Sequence, residues 1–413
     1  MREAPLSIDD KDAQINFNKR RYLFILLLTT SFLYFSFIAR FGYGVLVPRL
    51  IDDLGFSRAE AGSIFSIYMI VYSIFSVITG RVFDRLGIRV VTVLSFIYGF
   101  GMVLASFSTS FLTLAVAFAI AGLGASSSWT PMVALVSSNL PKSWRGRSIG
   151  LLEVGIRISH GTAGLLIPTI ALTVGWRTTW WILALPLFVY GLVFYKVSSK
   201  NLLQKNANRS ENLVSYRALL ASKKFWPIGL SYSFMSFASY IILTFLVDFL
   251  EREVRMSYIE ASTMSSIMGF IGIAGALILT WASDRVGRIT ILVSGNAIAA
   301  VSAFMMSSLP SNTSPSSSTI IIIIIIYGIF FGALWPTYAA CAGDVFPSSV
   351  GTVLGLWTLM MGLSALAAPI IGGFVADATG SYIKALQLSV MAYVIAMALV
   401  TTLTLKRDRV KIL

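Results

Sequence analysis

Twelve apolar runs of roughly 20 residues each constrain this chain more than any other feature, because a bilayer-crossing helix is the structure that needs apolar stretches of that length. They fall at 22–47, 58–80, 90–108, 111–138, 148–173, 178–196, 225–249, 258–282, 289–309, 319–342, 350–375 and 385–405, numbered here as spans 1 to 12. Charged or Pro-, Gly- and Ser-rich breaks separate them. With 56% hydrophobic and only 12% charged residues, the 413-residue chain cannot cover itself with a water-soluble surface. An all-α membrane protein of twelve transmembrane helices is therefore expected. Span 1 is too long for a cleaved signal peptide and follows a polar segment ending in Lys19, Arg20 and Arg21.

The net charge of +14 would suggest a nucleic-acid partner in a soluble chain, but its distribution argues otherwise. With the N-terminus in the cytoplasm, the cytoplasmic segments hold 24 of the 32 Lys and Arg, and the outer segments hold six: Arg49, Arg58, Arg177, Arg252, Arg255 and Lys384. That bias places both termini in the cytoplasm and makes the charge a matter of orientation and anionic lipid. A multi-pass protein of the plasma (inner) membrane is expected, with no nucleic acid involved. One cysteine, Cys341, rules out an internal disulfide, and one histidine, His160, leaves no ordinary zinc site, so neither metal nor cofactor is expected.

The longest cytoplasmic break, 197–224, is polar and basic and divides the chain into a tail (1–20), a six-helix bundle (21–196), a linker, a second six-helix bundle (225–405) and a short tail (406–413). The outer loop at 307–318 is Ser- and Pro-rich and contains an Asn312-Thr313-Ser314 acceptor pattern, which matters only where glycosylation occurs. The two bundles repeat. Asp84-Arg85-Leu86-Gly87 follows span 2, and Asp284-Arg285-Val286-Gly287 follows span 8, 200 residues later. Gly146 and Gly150 after Pro141 are echoed by Gly351 and Gly355 after Pro347. Landmarks in register at these places argue for duplicated six-helix units with pseudo-symmetry.

The loop after span 2 resembles the signature of the major facilitator superfamily, Gly-x-x-x-Asp-Arg-x-Gly-x-Arg, with Gly80, Asp84, Arg85, Gly87 and Arg89 all in place. The second copy keeps Asp284, Arg285 and Gly287 but has Thr280 where glycine is usual. The resemblance covers roughly residues 20 to 405. It implies secondary transport by alternating access, with these loops latching the two halves on the cytoplasmic side, and a chain able to work as a monomer. Read without the family, the same glycines permit a tight reversal and the carboxylates suit neighbouring helix N-termini.

Charges inside the hydrocarbon cost about 3 kcal/mol each on insertion scales and should face a partner or a watery cavity. Span 5 carries Glu153, Arg157 and His160 at i, i+4 and i+7 on one helical face, about 9, 15 and 20 Å from Arg147 along the axis. Two readings are open: a self-neutralising Glu153–Arg157 pair beside a packed histidine, or a proton-coupling set in which Glu153 and His160 titrate. On the second reading the buried arginines and Glu153 sum to +1 when Glu153 is ionised and +2 when it is protonated, so proton entry favours an anion.

Arg40 in span 1 admits a snorkelling alternative. The chain is also similar to the organophosphate:phosphate antiporters and anion:cation symporters, in which span 1 carries an arginine eight residues before a proline and then an acidic loop. Arg40, Pro48 and Asp52-Asp53 fit that pattern, and the resemblance implies that Arg40 holds the anionic group of the substrate. The second arginine that the phosphate-ester exchangers place on span 7, the basic residue that the oxalate and formate exchangers, also similar in general pattern, place on span 8, and the charged groups that the anion:cation symporters use on span 4 are all missing here, which leaves Arg157 to supply the second positive charge. By the same resemblance spans 1, 4, 7 and 10 line the cavity, making Tyr43, Trp129, Tyr232, Tyr240, Trp335 and Tyr338 substrate-binding candidates. Asp248, near the outer end of span 7, reads as a gate or interface residue.

Other classes fit less well. Gly146-Arg147-Ser148-Ile149-Gly150 mimics a hydrolase elbow, but no strand precedes it and His160 lies three turns along the same helix, so an enzyme is not expected. No phosphate-loop motif occurs. The alternative is a proton-coupled drug or cation exporter of the same fold, which two buried arginines oppose by repulsion. The expected partners are a small organic anion, most simply a carboxylate, together with protons and the bilayer.

Overall fold

The computed structural model describes residues 8–140, 142–199, 219–309, 317–347 and 349–410. Residues 1–7 and 411–413 of the two tails, linker residues 200–218, Pro141, Ser348 and loop residues 310–316 with the Asn312 pattern lie outside the described residues. Among the described residues the chain is helical without strands. Eleven helices are long and apolar enough to cross a membrane: Lys19–Leu54, Arg58–Leu86, Ile88–Ser106, Phe111–Asn139, Arg147–Ser198, Phe225–Arg252, Tyr258–Val286, Arg288–Ser307, Ser318–Val345, Thr352–Thr379 and Ile383–Leu403. The fifth of these is two crossings, spans 5 and 6, because Gly175 (φ 84°) interrupts the Lys142–Ser199 helix at the turn between them.

Two spans depart from a simple rod. Span 4 breaks between Ala125 and Trp129, where Ser126, Ser127 and Ser128 donate their hydroxyls to the carbonyls of Leu123, Gly124 and Ala125 at 2.7, 2.8 and 2.7 Å. Three successive back-bonding serines give the backbone an alternative to the helical ladder. Span 8 contains a π-helical turn, Gly275–Leu279, where Gly275 is pressed against the carbonyl of Ile329 in span 10.

The duplication extends to helix ends. Ser57 and Glu60 form a capping box at the start of span 2, and Ser257 and Glu260 form another at the start of span 8, with the same 200-residue offset. Gly87 (φ 63°) and Gly287 (φ 96°) supply the left-handed turn before spans 3 and 9. Gly55 (φ 69°) precedes the first capping box, yet its counterpart is Arg255 (φ 63°), the non-glycine residue with positive φ among those described. A side chain held there costs of order 1 kcal/mol, part of which glycine would return as unfolded-state entropy. Arg255→Gly should therefore stabilise the protein by about 0.5–1 kcal/mol, a rise of about 1–2 °C in a calorimetric scan of the detergent-solubilised chain. A fall would mean that the Arg255 side chain contributes more than its backbone strain removes.

Within the first half, spans 1 and 5/6, 3 and 6, 3 and 4, and 2 and 4 pack together; within the second, 7 and 12, 9 and 12, 9 and 10, 8 and 10, and 7 and 11 do so. Small residues allow the backbones to approach: a Cβ at Gly124 would strike Tyr98, and one at Gly332 would strike Gly272. The halves meet through spans 1 and 7, 2 and 11, and 5 and 8. That seam too is glycine-lined, with Gly44 on the Leu243 carbonyl, Gly62 on Pro369, Gly164 on Ser262 and Gly269 on Gly161. Large apolar side chains such as Leu27, Leu112, Phe374 and Met391 stand exposed around the bundle, as a hydrocarbon solvent requires. The groove of about 550 Å³ between spans 1 and 6, lined by Leu28, Phe35, Pro186 and Val193 among others, is of this apolar outer kind and holds no charge.

Candidate functional site

Arg40 lies deep in span 1. Nine residues separate it from Arg49 at the end of span 1, about 14 Å along the axis, and its side chain is buried rather than snorkelling. The guanidinium donates to the Tyr240 hydroxyl at 2.6 Å and approaches the Met69 sulfur at 3.0 Å. It lies 5.2, 5.0 and 5.8 Å from the ring centroids of Phe37, Tyr72 and Tyr240. Aromatic faces stabilise the cation without neutralising it, and among the described residues no carboxylate forms an ion pair with it. A full positive charge is thus held where spans 1 and 7 meet.

Span 5 presents the second charge. Arg157 is 4% exposed and lies 4.7 Å from the centroid of Phe331 in span 10. Glu153 is one turn away and half-buried, within electrostatic reach of Arg157 and, across the halves, of Tyr232. The two do not close into an ion pair among the described residues, so Arg157 is not consumed by its neighbour. His160 stacks on Phe41, 4.4 Å between centroids at 17°, and its Nε2 meets the Ser265 hydroxyl of span 8 at 3.3 Å. Among the described residues its Nδ1 and the Arg157 Nε are buried without a partner, which is costly unless something else reaches them.

An aromatic wall joins the two arginines. Tyr240 packs on Trp335 at 6.1 Å, Trp335 on Tyr232 at 5.5 Å and on Phe331 at 6.5 Å, and Phe331 carries Arg157. Tyr232 and Trp335 are half-buried. The other candidates lie elsewhere. Tyr43 is fully buried inside the first half, stacked on Phe65, with its hydroxyl donated to the Ala61 carbonyl at 2.5 Å. Tyr338 sits behind the wall, its hydroxyl shared between Ser231 at 2.5 Å and Asn296 at 3.1 Å. Trp129, at the broken part of span 4, packs on an apolar cluster within the first half that includes Phe32 and Phe37 of span 1, Leu152 and Ile156 of span 5 and Phe194 of span 6. Lining by spans 1, 4, 7 and 10 thus does not place every aromatic residue of those spans at the arginines: helical rotation points Tyr43 and Tyr338 away. Phe331, Phe37 and Tyr72 are brought there instead, with nothing in their local sequence to distinguish them from lipid-facing aromatics.

At the end opposite the termini a charged clasp closes the seam. Arg49 bonds Glu251, and Arg252 bridges Asp248 and Asp52 at 2.6 Å each. Asp248 is fully buried and also accepts from the Tyr382 hydroxyl at 2.5 Å. The carboxylate of Asp377 in span 11 caps the other half, accepting from the backbone N–H of Arg58 at 3.0 Å and Ala59 at 2.8 Å at the start of span 2. A carboxylate in the last turn of its own helix is disfavoured by that helix's dipole, and this mismatch is the sequence signal that marks Asp377. On the other side of Arg40 and Arg157, among the described residues, no hydrogen bond or ion pair joins the halves. Gly150, Gly343 and Gly355 there have open space beside them.

The repeated loops lie at that open end. Asp84, Arg85 and Arg89 are exposed and form no ion pair among the described residues, and Gly80 sits against Thr130. In the second copy Arg288 bonds Asp284 and reaches Asp344 at 3.0 Å, while Arg285 lies over the Trp281 ring at 4.1 Å. Asp344, which the sequence reading missed, has Asn139 as its counterpart at the 205-residue offset, so the first loop lacks the equivalent carboxylate.

Comparison with known proteins agrees with this geometry. The Major Facilitator Superfamily profile matches residues 26–312 and 228–412. A probable 4-methylmuconolactone transporter of Cupriavidus pinatubonensis is 24% identical over 340 residues, 80% of this chain and 78% of the relative. A hexuronate transporter of Bacillus subtilis is 22% identical over 375 residues, covering 86% and 88%. Among solved structures, a bacterial homolog of the human lysosomal transporter Spinster in an inward-facing, occupied conformation superposes with a TM-score of 0.76 at 16% identity, over 92% of this chain and 96% of that one. A duplicated, all-helical bundle with a charged seam between its halves, matched by the family profile along nearly its whole length, belongs to the Major Facilitator Superfamily and is a membrane transporter rather than an enzyme.

Proposed function

We propose that this transporter carries a small organic anion, most simply a carboxylate, coupled to protons. The single observation that carries the reading is the pair of buried guanidiniums, Arg40 on span 1 and Arg157 on span 5, neither closed into an ion pair among the described residues, with Glu153 within electrostatic reach of Arg157. Two such charges favour an anion and repel a cation. The acids named in the relatives, hexuronate in Bacillus subtilis and, as a probable substrate, L-galactonate in Escherichia coli, support the same class. Substrate enters between Arg40, Arg157 and the Tyr232–Trp335–Tyr240 wall; Glu153, with His160 beside it, takes up the coupling proton and raises the site's charge from +1 to +2. The six-span halves rock about the glycine seam, the outer clasp opening as the loops at Asp84 and Asp284 come together. The chain works as a monomer in the plasma (inner) membrane with both termini cytoplasmic.

Proteoliposomes with a trapped pH dye test this. Lumenal acidification on adding a carboxylate supports anion–proton symport, whereas alkalinisation on adding a cationic dye would replace it with a cation exporter. Glu153→Gln should abolish stimulation of uptake by a pH gradient, bringing the ratio of driven to undriven uptake to about 1, while labelled counterflow persists. Proton-driven uptake that survives the substitution would remove Glu153 from the coupling role.

A further inference from the structure

Resting on that reading, we infer that the site selects a flat, hydroxyl-poor carboxylic acid, an aromatic or unsaturated ring acid, over a polyhydroxylated sugar acid. The argument is one of hydrogen-bond supply. Each hydroxyl of a sugar acid needs an acceptor for its proton, and a site that recognises several of them is best supplied with acceptors by carboxamides or carboxylates facing it. This chain places three carboxamides inside its spans, Asn139, Asn296 and Gln387, and Gln387 lies near the clasp end of span 12, accepting from the Lys384 ammonium at 3.2 Å. Asn139 lies at the end of span 4 with its amide on the Leu135 carbonyl, and Asn296 is fully buried behind the wall, bonded to the Leu292 carbonyl and the Tyr338 hydroxyl.

What stands between Arg40 and Arg157 instead is ring surface: Tyr240, Trp335, Tyr232 and Phe331, with Met69 under Arg40. The polar atoms this surface offers are the guanidinium nitrogens and the Trp335 indole N–H, which only donate, and the hydroxyls of Tyr232 and of Tyr240, the latter held by Arg40. They suit an acid's acceptor-only oxygens. Glu153 is the one anionic acceptor near, and the coupling proton occupies it. A ligand's uncharged body must then rest on aromatic faces, where a planar ring stacks and a hydroxyl-covered one leaves its donors unsatisfied.

The test is equilibrium binding to the full chain in lipid nanodiscs, using benzoate, cyclohexanecarboxylate, D-glucuronate and benzylamine as probes. Benzoate should bind at least about tenfold more tightly than D-glucuronate, and more tightly than cyclohexanecarboxylate, which matches its size without a flat face. Trp335→Ala should weaken benzoate about tenfold while changing D-glucuronate less than about twofold, and Trp335→Phe should keep most of the preference, guarding against a variant that fails to fold. D-glucuronate binding as tightly as benzoate would overturn the selectivity and leave the anion reading intact. Binding of benzylamine with none of the acids would overturn the anion reading itself.

Discussion

Arg40→Ala is expected to lower saturable uptake of an organic acid by at least about 30-fold, since truncating one partner of a buried charge contact costs about 2–5 kcal/mol. Melting temperature separates this from a structural effect. In the absence of substrate the Arg40 charge has no carboxylate beside it, only the Tyr240 hydroxyl, the Met69 sulfur and three rings. Removing an uncompensated buried charge relieves its desolvation penalty, which offsets the packing lost with the side chain, so the variant should melt close to the parent while transporting almost nothing. Arg40→Lys keeps the charge but loses the planar fork, and about a tenfold loss is expected. Full uptake by Arg40→Ala, or a loss matched by a large fall in melting temperature, would show that the arginine only packs spans 1 and 7.

Gly269→Val should be nearly as damaging by a different route. A Cβ at Gly269 has nowhere to go, because the backbone of Gly161 in the facing half occupies its place. Both residues belong to rigid helices, so the new side chain cannot be absorbed by a flexible neighbour, and overpacking of this kind costs about 1–3 kcal/mol. That cost falls on the state in which spans 5 and 8 touch. Transport should drop at least about tenfold while each half stays folded, and the population should shift toward the form open on the clasp side. Ser262→Cys, placed in a Cys341→Ser background, reports it: Ser262 is fully buried against Gly164, and an impermeant maleimide added from the clasp side should label it faster when Gly269→Val is also present. Equal labelling with and without the valine would mean that the seam closes around the added methyls.

Some of the site was legible early because its chemistry is expensive. Arg40, Glu153, Arg157 and His160 stand out since a charge in hydrocarbon demands an explanation wherever its partner lies. Tyr43 and Tyr338 were proposed on the same footing as Tyr240 and Trp335, and no local pattern separates them: each is an aromatic in an apolar helix, and only the rotation of that helix sends one hydroxyl to the Ala61 carbonyl and another to the Arg40 guanidinium. Phe331 carried no signal at all, although it supports Arg157. Asp377 carried a weak one, a carboxylate at the wrong end of its helix.

The sequence by itself determined the helices, their number and the duplication, because lipid leaves a backbone no choice but to satisfy its own hydrogen bonds, and because runs of apolar residues, capping serines and turn glycines act over a few residues. It also determined that each charge inside the bundle needs something to hold it, without showing that for Arg40 this is a hydroxyl, a sulfur and aromatic faces. Which groups meet was decided by tertiary structure alone. Arg40 and Tyr240 are 200 residues apart, Arg58 and Asp377 319, His160 and Ser265 105. Pairings of that range depend on how helices rotate and how closely glycines let two halves approach, and both are properties of the packed bundle that no single segment contains.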